Sequence, residues 1–126
     1  MEFPENFFYT KNHEWFCWDG NEGVIGITAF AAKEFGEIVY IDIESERKEF
    51  SAGDVIGRIQ ADKKVSYLIL PVDGVILDIN PKIRTEPALV NSNPYGKGWL
   101  VRIKVTGEPR PSTLMHKEKY CRFLGC

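Results

Sequence analysis

The chain has no surplus of positive charge. Lys and Arg number 16 against 18 Asp and Glu, a formal net charge of −2. Neutralising nucleic-acid phosphates calls for a basic face, so no nucleic-acid partner is expected. No apolar run approaches the ~20 residues of a membrane span. The opening MEFPENFF lacks the basic and apolar regions of a secretory signal and the Arg- and Ser-rich character of a transit peptide. A cytoplasmic protein with no membrane partner is therefore expected. Cysteine is scarce: Cys17 lies in an apolar, aromatic run, and Cys121 and Cys126 lie near the C-terminus. An odd count without a signal fits a reducing compartment and predicts free thiols. The Cys121 to Cys126 spacing, with His116 the one soft ligand close by, is not a zinc pattern, so no metal is expected.

Signatures of catalysis are missing too. There is no G-x-S-x-G and no P-loop, and Gly96-Lys97-Gly98 is too short to cradle a phosphate. His13-Glu14 has no second histidine at metalloprotease spacing. His13 and Cys17, four residues apart on a strand, share a face without a third member. No catalytic residue is expected, and His13 and Glu14 read as packing at a sheet edge.

What is present is a globular composition, 126 residues with 44% hydrophobic and 27% charged, read as one domain over residues 1–126. Short apolar segments alternate with turn residues. Strands are expected at 14–18, 23–28, 38–43, 55–60, 65–70, 75–80 and 99–105. Asp19-Gly20-Asn21-Glu22 and Asp73-Gly74 are turns, because glycine takes positive φ without steric cost. Thr28 can cap a short helix at 29–35, with Gly36 as a left-handed stop. One helical turn is expected at Glu86 to Leu89, and a C-terminal helical tail over 109–126, with a helix starting at Pro109 to Ser112 and running to about Leu124. Its Tyr120 and Phe123 are expected to pack on the sheet. Many short strands without long crossover helices indicate a mainly β sandwich or barrel.

An internal echo supports two similar halves. GDVIGRI (53–59) and DGVILDI (73–79) share Val-Ile-x-x-Ile beside a glycine turn. Period-two alternation puts Val55 and Ile59 on one face, and Val75 and Ile79 likewise. Between the copies lies a hairpin tipped by Asp62-Lys63-Lys64. It reads either as a solvated turn that keeps an edge soluble or as an attachment site, since a lysine on a protruding turn offers a reachable amine.

Longer motifs bear on that choice. YTKNHEW (9–15), GVIGIT running on to GEIVY (23–40), PVDGVI (71–76) and LVNSNPYGKGWL (89–100), in this order around the lysine hairpin, resemble the H protein family of the glycine cleavage system. The resemblance covers about residues 9–124. It implies a lipoyl-type β-sandwich, a barrel-sandwich hybrid, and a lipoyl carrier rather than an enzyme. The family's Glu-Ser-Val-Lys-Ala motif matches Gln60-Ala61-Asp62-Lys63-Lys64, which places lipoate in amide linkage on Lys63. It also implies a cleft for the loaded arm, with Asn12, Glu14, Ile27, Thr28 and Tyr67 as candidates. Glu14 would there hold a cationic amine by a charge-assisted hydrogen bond. The implied partners are the pyridoxal-phosphate glycine decarboxylase (P protein), the tetrahydrofolate-dependent aminomethyltransferase (T protein), dihydrolipoyl dehydrogenase (L protein) and a lipoyl-attaching enzyme. The carrier itself is expected to be a monomer.

The sequence departs from the family pattern at three places. Gln60 stands where the family has glutamate, Tyr67 where it commonly has aspartate, and the tail MHKEKYCRFLGC replaces an acidic ending. These departures also suit an alternative, an H-protein-like lipoyl carrier that moves sulfur in bacterial or archaeal sulfur oxidation.

Overall fold

The computed structural model describes residues 3–44, 49–108 and 114–126. In chain order the elements are β1 (Phe8–Tyr9), β2 (Glu14–Asp19), β3 (Glu22–Ile27), α1 (Ala29–Phe35), β4 (Ile38–Ile43), β5 (Glu49–Phe50), β6 (Val55–Ala61), β7 (Val65–Ile69), β8 (Gly74–Ile79), α2 (Lys82–Thr85), α3 (Leu89–Ser92), β9 (Val101–Val105) and α4 (Lys117–Leu124). Two antiparallel sheets result. Six strands run β1-β2-β3-β9-β8-β5, and three run β4-β6-β7. The expected β-sandwich with a helix at 29–35 and a C-terminal helix is the observed architecture.

The main core lies where the sheets face each other. Phe16, Ile25, Ile56, Leu70, Ile76 and Ile103 there have no exposed surface. A second apolar cluster, Phe3, Tyr9, Trp15, Met115 and Tyr120, lies under α4. Trp15 can lie flat on β3 because Gly26 faces it. A Cβ at Gly26 would fall 2.5 Å from the indole, so any side chain there would displace the ring.

The echoed segments fold alike, though not as period two predicts. Val55 is 53% exposed, while Ile56 and Ile59 are buried at 0% and 1%. A register shift between Val55 and Gly57 in the β6–β7 pairing breaks the alternation. In the second copy Val75 and Ile79 are half-buried and Ile76 fully buried, with the shift between Ile76 and Asp78. A bulge puts two residues opposite one and re-aims the side chains beyond it, so the shared Ile, rather than the shared Val, fills the core in both halves.

Several boundaries differ from the sequence reading. The last strand starts at Val101, with Trp99 and Leu100 ahead of it. Strands β1 and β5 have two residues each, too few to leave a pattern. The turn expected at Glu86 to Leu89 is replaced by α2 before it and α3 at its end. Pro87 explains the break: the residue before a proline is pushed out of the helical region, and Glu86 has φ −133 and ψ 64. The C-terminal helix begins at Lys117, not near Pro109 to Ser112; positions 109–113 lie outside the described residues. Leu114 and Met115 precede it, and Met115 pairs with Tyr9 as an extended bridge. Tyr120 is fully buried, whereas Phe123 is 47% exposed and meets the rings of His13 and Tyr120. The cysteine expectation is also corrected: Cys17 is free, but Cys121 and Cys126 form a disulfide. The reason is local, since the chain turns back at the helix end through Gly125 (φ 86, ψ 21) and returns Cys126 to the last turn.

Candidate functional site

Lys63 stands at the exposed apex of the β6–β7 hairpin, and the backbone under it is fastened. Its own N–H donates to Phe35 O at 3.0 Å, that of Asp62 to Glu37 O at 2.8 Å, and that of Ala61 to Lys64 O at 3.0 Å. The tip is thus seated on the C-terminal end of α1. Thr28 starts that helix, its Oγ1 accepting from Ala31 N–H at 3.2 Å. Gly36 ends it with φ 80 and ψ −161, a positive φ followed by an extended ψ that feeds β4 rather than the left-handed cap expected. A Cβ at Gly36 would lie 3.3 Å from both Asp62 Cβ and Lys63 Cγ, so glycine also lets the hairpin approach. Asn91 completes the platform: its Nδ2 donates to Gly36 O at 2.8 Å and Ala32 O at 3.3 Å, and its Oδ1 accepts from Ile38 N–H at 2.9 Å. The two lysines differ. Lys64 Nζ lies 5.1 Å from the centre of the Phe35 ring, a cation–π distance.

Along the hairpin from its tip, β7 runs beside the start of β2. Asn12 Nδ2 donates to Tyr67 O at 3.0 Å and to Glu14 Oε2 at 2.9 Å. Ile69 N–H donates to the same Oε2 at 2.6 Å, and Thr10 Oγ1 donates to Oε1 at 3.1 Å. Glu14 is 1% exposed. Burial pushes its carboxyl up to about 7, against the pull of these three donors. A groove of about 440 Å³ opens here, lined among others by Asn12, Glu14, Ile69, Pro71, Met115 and Lys119. Three of the roughly four acceptor positions of a carboxylate are occupied in Glu14 by Thr10, Asn12 and Ile69.

The structure therefore brings Asn12, Glu14 and the Tyr67 carbonyl together. The Tyr67 side chain is 53% exposed and faces a separate pocket with Asp42, Glu44 and Arg58. Ile27 is 2% exposed in the main core, and Thr28 is buried at the cap of α1. Ile27 pairs with Glu14 across β2 and β3, and Thr28 follows it, but neither lines the groove. Sequence reasoning missed Met115 and Lys119, which reach the groove because Met115 pairs with Tyr9 and α4 follows it. It also missed a polar chain behind the site. Thr28 Oγ1 and Tyr120 Oη lie 2.9 Å apart, and Tyr120 Oη lies 2.8 Å from His13 Nδ1. Burial, assisted by the nearby Lys64 charge, lowers the His13 pKa, and burial pushes the Tyr120 phenol up to about 12. The groups are thus neutral near pH 7, so Tyr120 can donate to an unprotonated His13 nitrogen.

A lysine on a fastened hairpin apex, with a buried carboxylate in a groove at the far end of the same hairpin, is a geometry that suits a carrier. The sequence model of the Glycine cleavage H-protein family matches residues 7–125. The chain belongs to that family. Glycine cleavage system H proteins of Halothermothrix orenii and Carboxydothermus hydrogenoformans are each 40% identical to it. They are matched over 98% and 96% of this chain and 97% and 93% of theirs. The H protein of Bacteroides fragilis is 40% identical over 95% of both chains. The crystal structure of the glycine cleavage system H protein from Mycobacterium marinum superposes with a TM-score of 0.90 at 28% identity, covering 98% of this chain and all of that one. Among the described residues, no helix of this H-protein-family chain is long and apolar enough to cross a membrane.

Proposed function

We propose that the chain is a cytoplasmic, monomeric lipoyl carrier of glycine cleavage, with lipoate in amide linkage to Lys63 and no catalysis by its own side chains. The observation that carries this reading is the exposed Lys63 apex on a backbone pinned to α1. The residues fit such a group. The tip is reachable by a lipoyl-attaching enzyme, while the fixed base limits the orientations partners must recognise. When bound, lipoate supplies a strained disulfide that takes up the aminomethyl group left by glycine decarboxylation and exchanges readily with thiols. The chain's own residues offer it a place to rest. Asn12 orients Glu14, and the remaining acceptor position of Glu14 receives a cationic amine. Proximity of such a cation would favour the ionised carboxylate against the burial that otherwise raises its pKa. Lys64, drawn toward Phe35, leaves Lys63 as the residue for acylation.

The partners on this reading are the P protein decarboxylase, the T protein aminomethyltransferase, the L protein dihydrolipoyl dehydrogenase and the attaching enzyme. The relatives reported above all carry the glycine-cleavage name, which is why this reading, rather than sulfur carriage, is the conclusion.

The test is intact mass spectrometry of the chain from cells supplied with lipoate. The wild-type mass is expected to rise by one lipoyl group, and Lys63→Ala to abolish the rise while Lys64→Ala retains it. An unmodified wild type would sink the proposal. The lipoylated chain is further expected to support exchange of labelled bicarbonate into glycine with the P protein; absence of exchange would leave a lipoyl carrier of another pathway.

A further inference from the structure

We propose that Cys121–Cys126 is a redox-active pair that exchanges two electrons with a lipoyl-type dithiol. The disulfide joins the last turn of α4 to the residue beyond its end, with Cα atoms 5.3 Å apart. Backbone bonds already make that turn: Gly125 N–H donates to Arg122 O at 3.1 Å and Cys126 N–H to Cys121 O at 3.0 Å. The sulfurs are therefore brought together without the bond between them. Closing so short a loop removes less entropy from the unfolded chain than a long one would, and α4 is held separately by the buried Tyr120. The bond can open and close without disturbing the fold.

Access and placement fit exchange. Cys126 is exposed and Cys121 half-buried, and exposed disulfides belong to the labile class. Lys117, Lys119 and Arg122 lie on the same helix with one acid, Glu118, and Lys117 pairs with Glu5 at 3.5 Å; a net positive neighbourhood favours the thiolates formed. Phe123, between the cysteines, contacts the His13 ring (centroids 6.1 Å apart), which contacts Phe30 of α1 (4.9 Å). The other end of α1 holds the Lys63 backbone, and Lys119 of α4 lines the groove with Glu14. The pair thus belongs to the helix that flanks the site.

The step balances. A thiolate of the dithiol attacks Cys126 Sγ, a mixed disulfide forms, and Cys121 leaves as thiolate. The second thiol then displaces Cys126, so the dithiol ends as its cyclic disulfide and the protein as two thiols, with two electrons and two protons transferred. The carrier reading enters only as a source of the dithiol; a separate dithiol molecule has the same chemistry.

The full-length chain with Lys63→Arg, which bears no arm, is equilibrated with dihydrolipoamide and lipoamide at ratios from about 1:100 to 100:1. It is then acid-quenched, alkylated with N-ethylmaleimide in denaturant and weighed. The expected result is one adduct, on Cys17, in the oxidised chain, three in the reduced chain, and a midpoint within that range. Cys126→Ser is expected to abolish the transition. Three adducts without reductant, or one adduct at hundredfold excess of dihydrolipoamide, would overturn the proposal. In a second arm, lipoylated wild type is reduced by dihydrolipoyl dehydrogenase and NADH without free lipoamide. Appearance of the two thiols assigns the chain's own arm as donor; their absence assigns a separate dithiol. A wild type that never acquires lipoate would defeat the carrier reading, and the Lys63→Arg titration would still decide the exchange.

Discussion

Gly36 shows how much of the site rests on one missing Cβ. Its φ of 80 is costly for any other residue, and a methyl group there would press on Asp62 and Lys63 at 3.3 Å. Gly36→Ala is expected to destabilise the fold by about 1–2 kcal/mol in urea unfolding and, on the carrier reading, to slow lipoylation of Lys63 by a purified attaching enzyme. Glu14 is the residue through which pH acts most clearly. In the native chain its carboxyl titrates near 7, against 4.5 for an unburied glutamate. Between those values the native state holds a proton that the unfolded chain has released, so this contribution is full below about pH 4.5 and is lost as pH rises through 7. It amounts to something on the order of 3 kcal/mol. His13, whose pKa is lowered by burial, acts oppositely, favouring the native state as pH rises. Subtraction isolates Glu14: Glu14→Gln is expected to lose the acid-side gain between pH 8 and pH 5 that wild type shows in denaturant titrations. A pH dependence identical in the two proteins would contradict the burial argument. Glu14 was legible as a candidate only through the HEW motif; its saturation by Thr10, Asn12 and Ile69 was not, because the Ile69 N–H arrives from 55 residues away.

At the scale of elements, α1 was legible to the residue because its signals are local. Thr28 caps it and Gly36 ends it. The start of α4 was not, since Leu114 and Met115 fit a helical apolar spacing yet lie outside the helix, Met115 pairing with Tyr9 of β1 as extended chain. Tertiary pairing overrode periodicity there. The same helix shows which apolar residues hold it. Tyr120 stacks on Tyr9 with ring centres 4.9 Å apart, meets Phe3 edge-on and closes the polar chain to His13 and Thr28. Removing its hydroxyl alone, in Tyr120→Phe, is expected to cost about 1 kcal/mol. Tyr120→Ala should approach the ~3–5 kcal/mol of a buried large aromatic. Phe123→Ala, at a half-exposed position, should change stability far less. Thermal melts of the three variants check the order, and equal losses for Tyr120→Ala and Phe123→Ala would show that α4 is held some other way.

At the scale of the whole molecule, the two sheets close over one core to which each echoed segment contributes the same residue. Ile56 and Ile76 both have no exposed surface, and each replacement by Ala is expected to cost about 2–5 kcal/mol. Val55→Ala, at 53% exposure, should stay near neutral; urea midpoints compare them. The sequence by itself determined the order of the seven longer strands, the short helix at 29–35, the lysine at a hairpin apex and membership of a carrier family. Those features are written in residues a few positions apart, where alternation, caps and turn chemistry act without knowledge of the rest of the chain. The tertiary structure alone decided which isoleucines fill the core, because bulges shift register only once strands pair. It also decided that Asn91 of α3 clamps the platform under Lys63, and that Glu14 is buried under a donor from β7. Each of these depends on two segments arriving at one place, and a contact between distant segments leaves no period in either one.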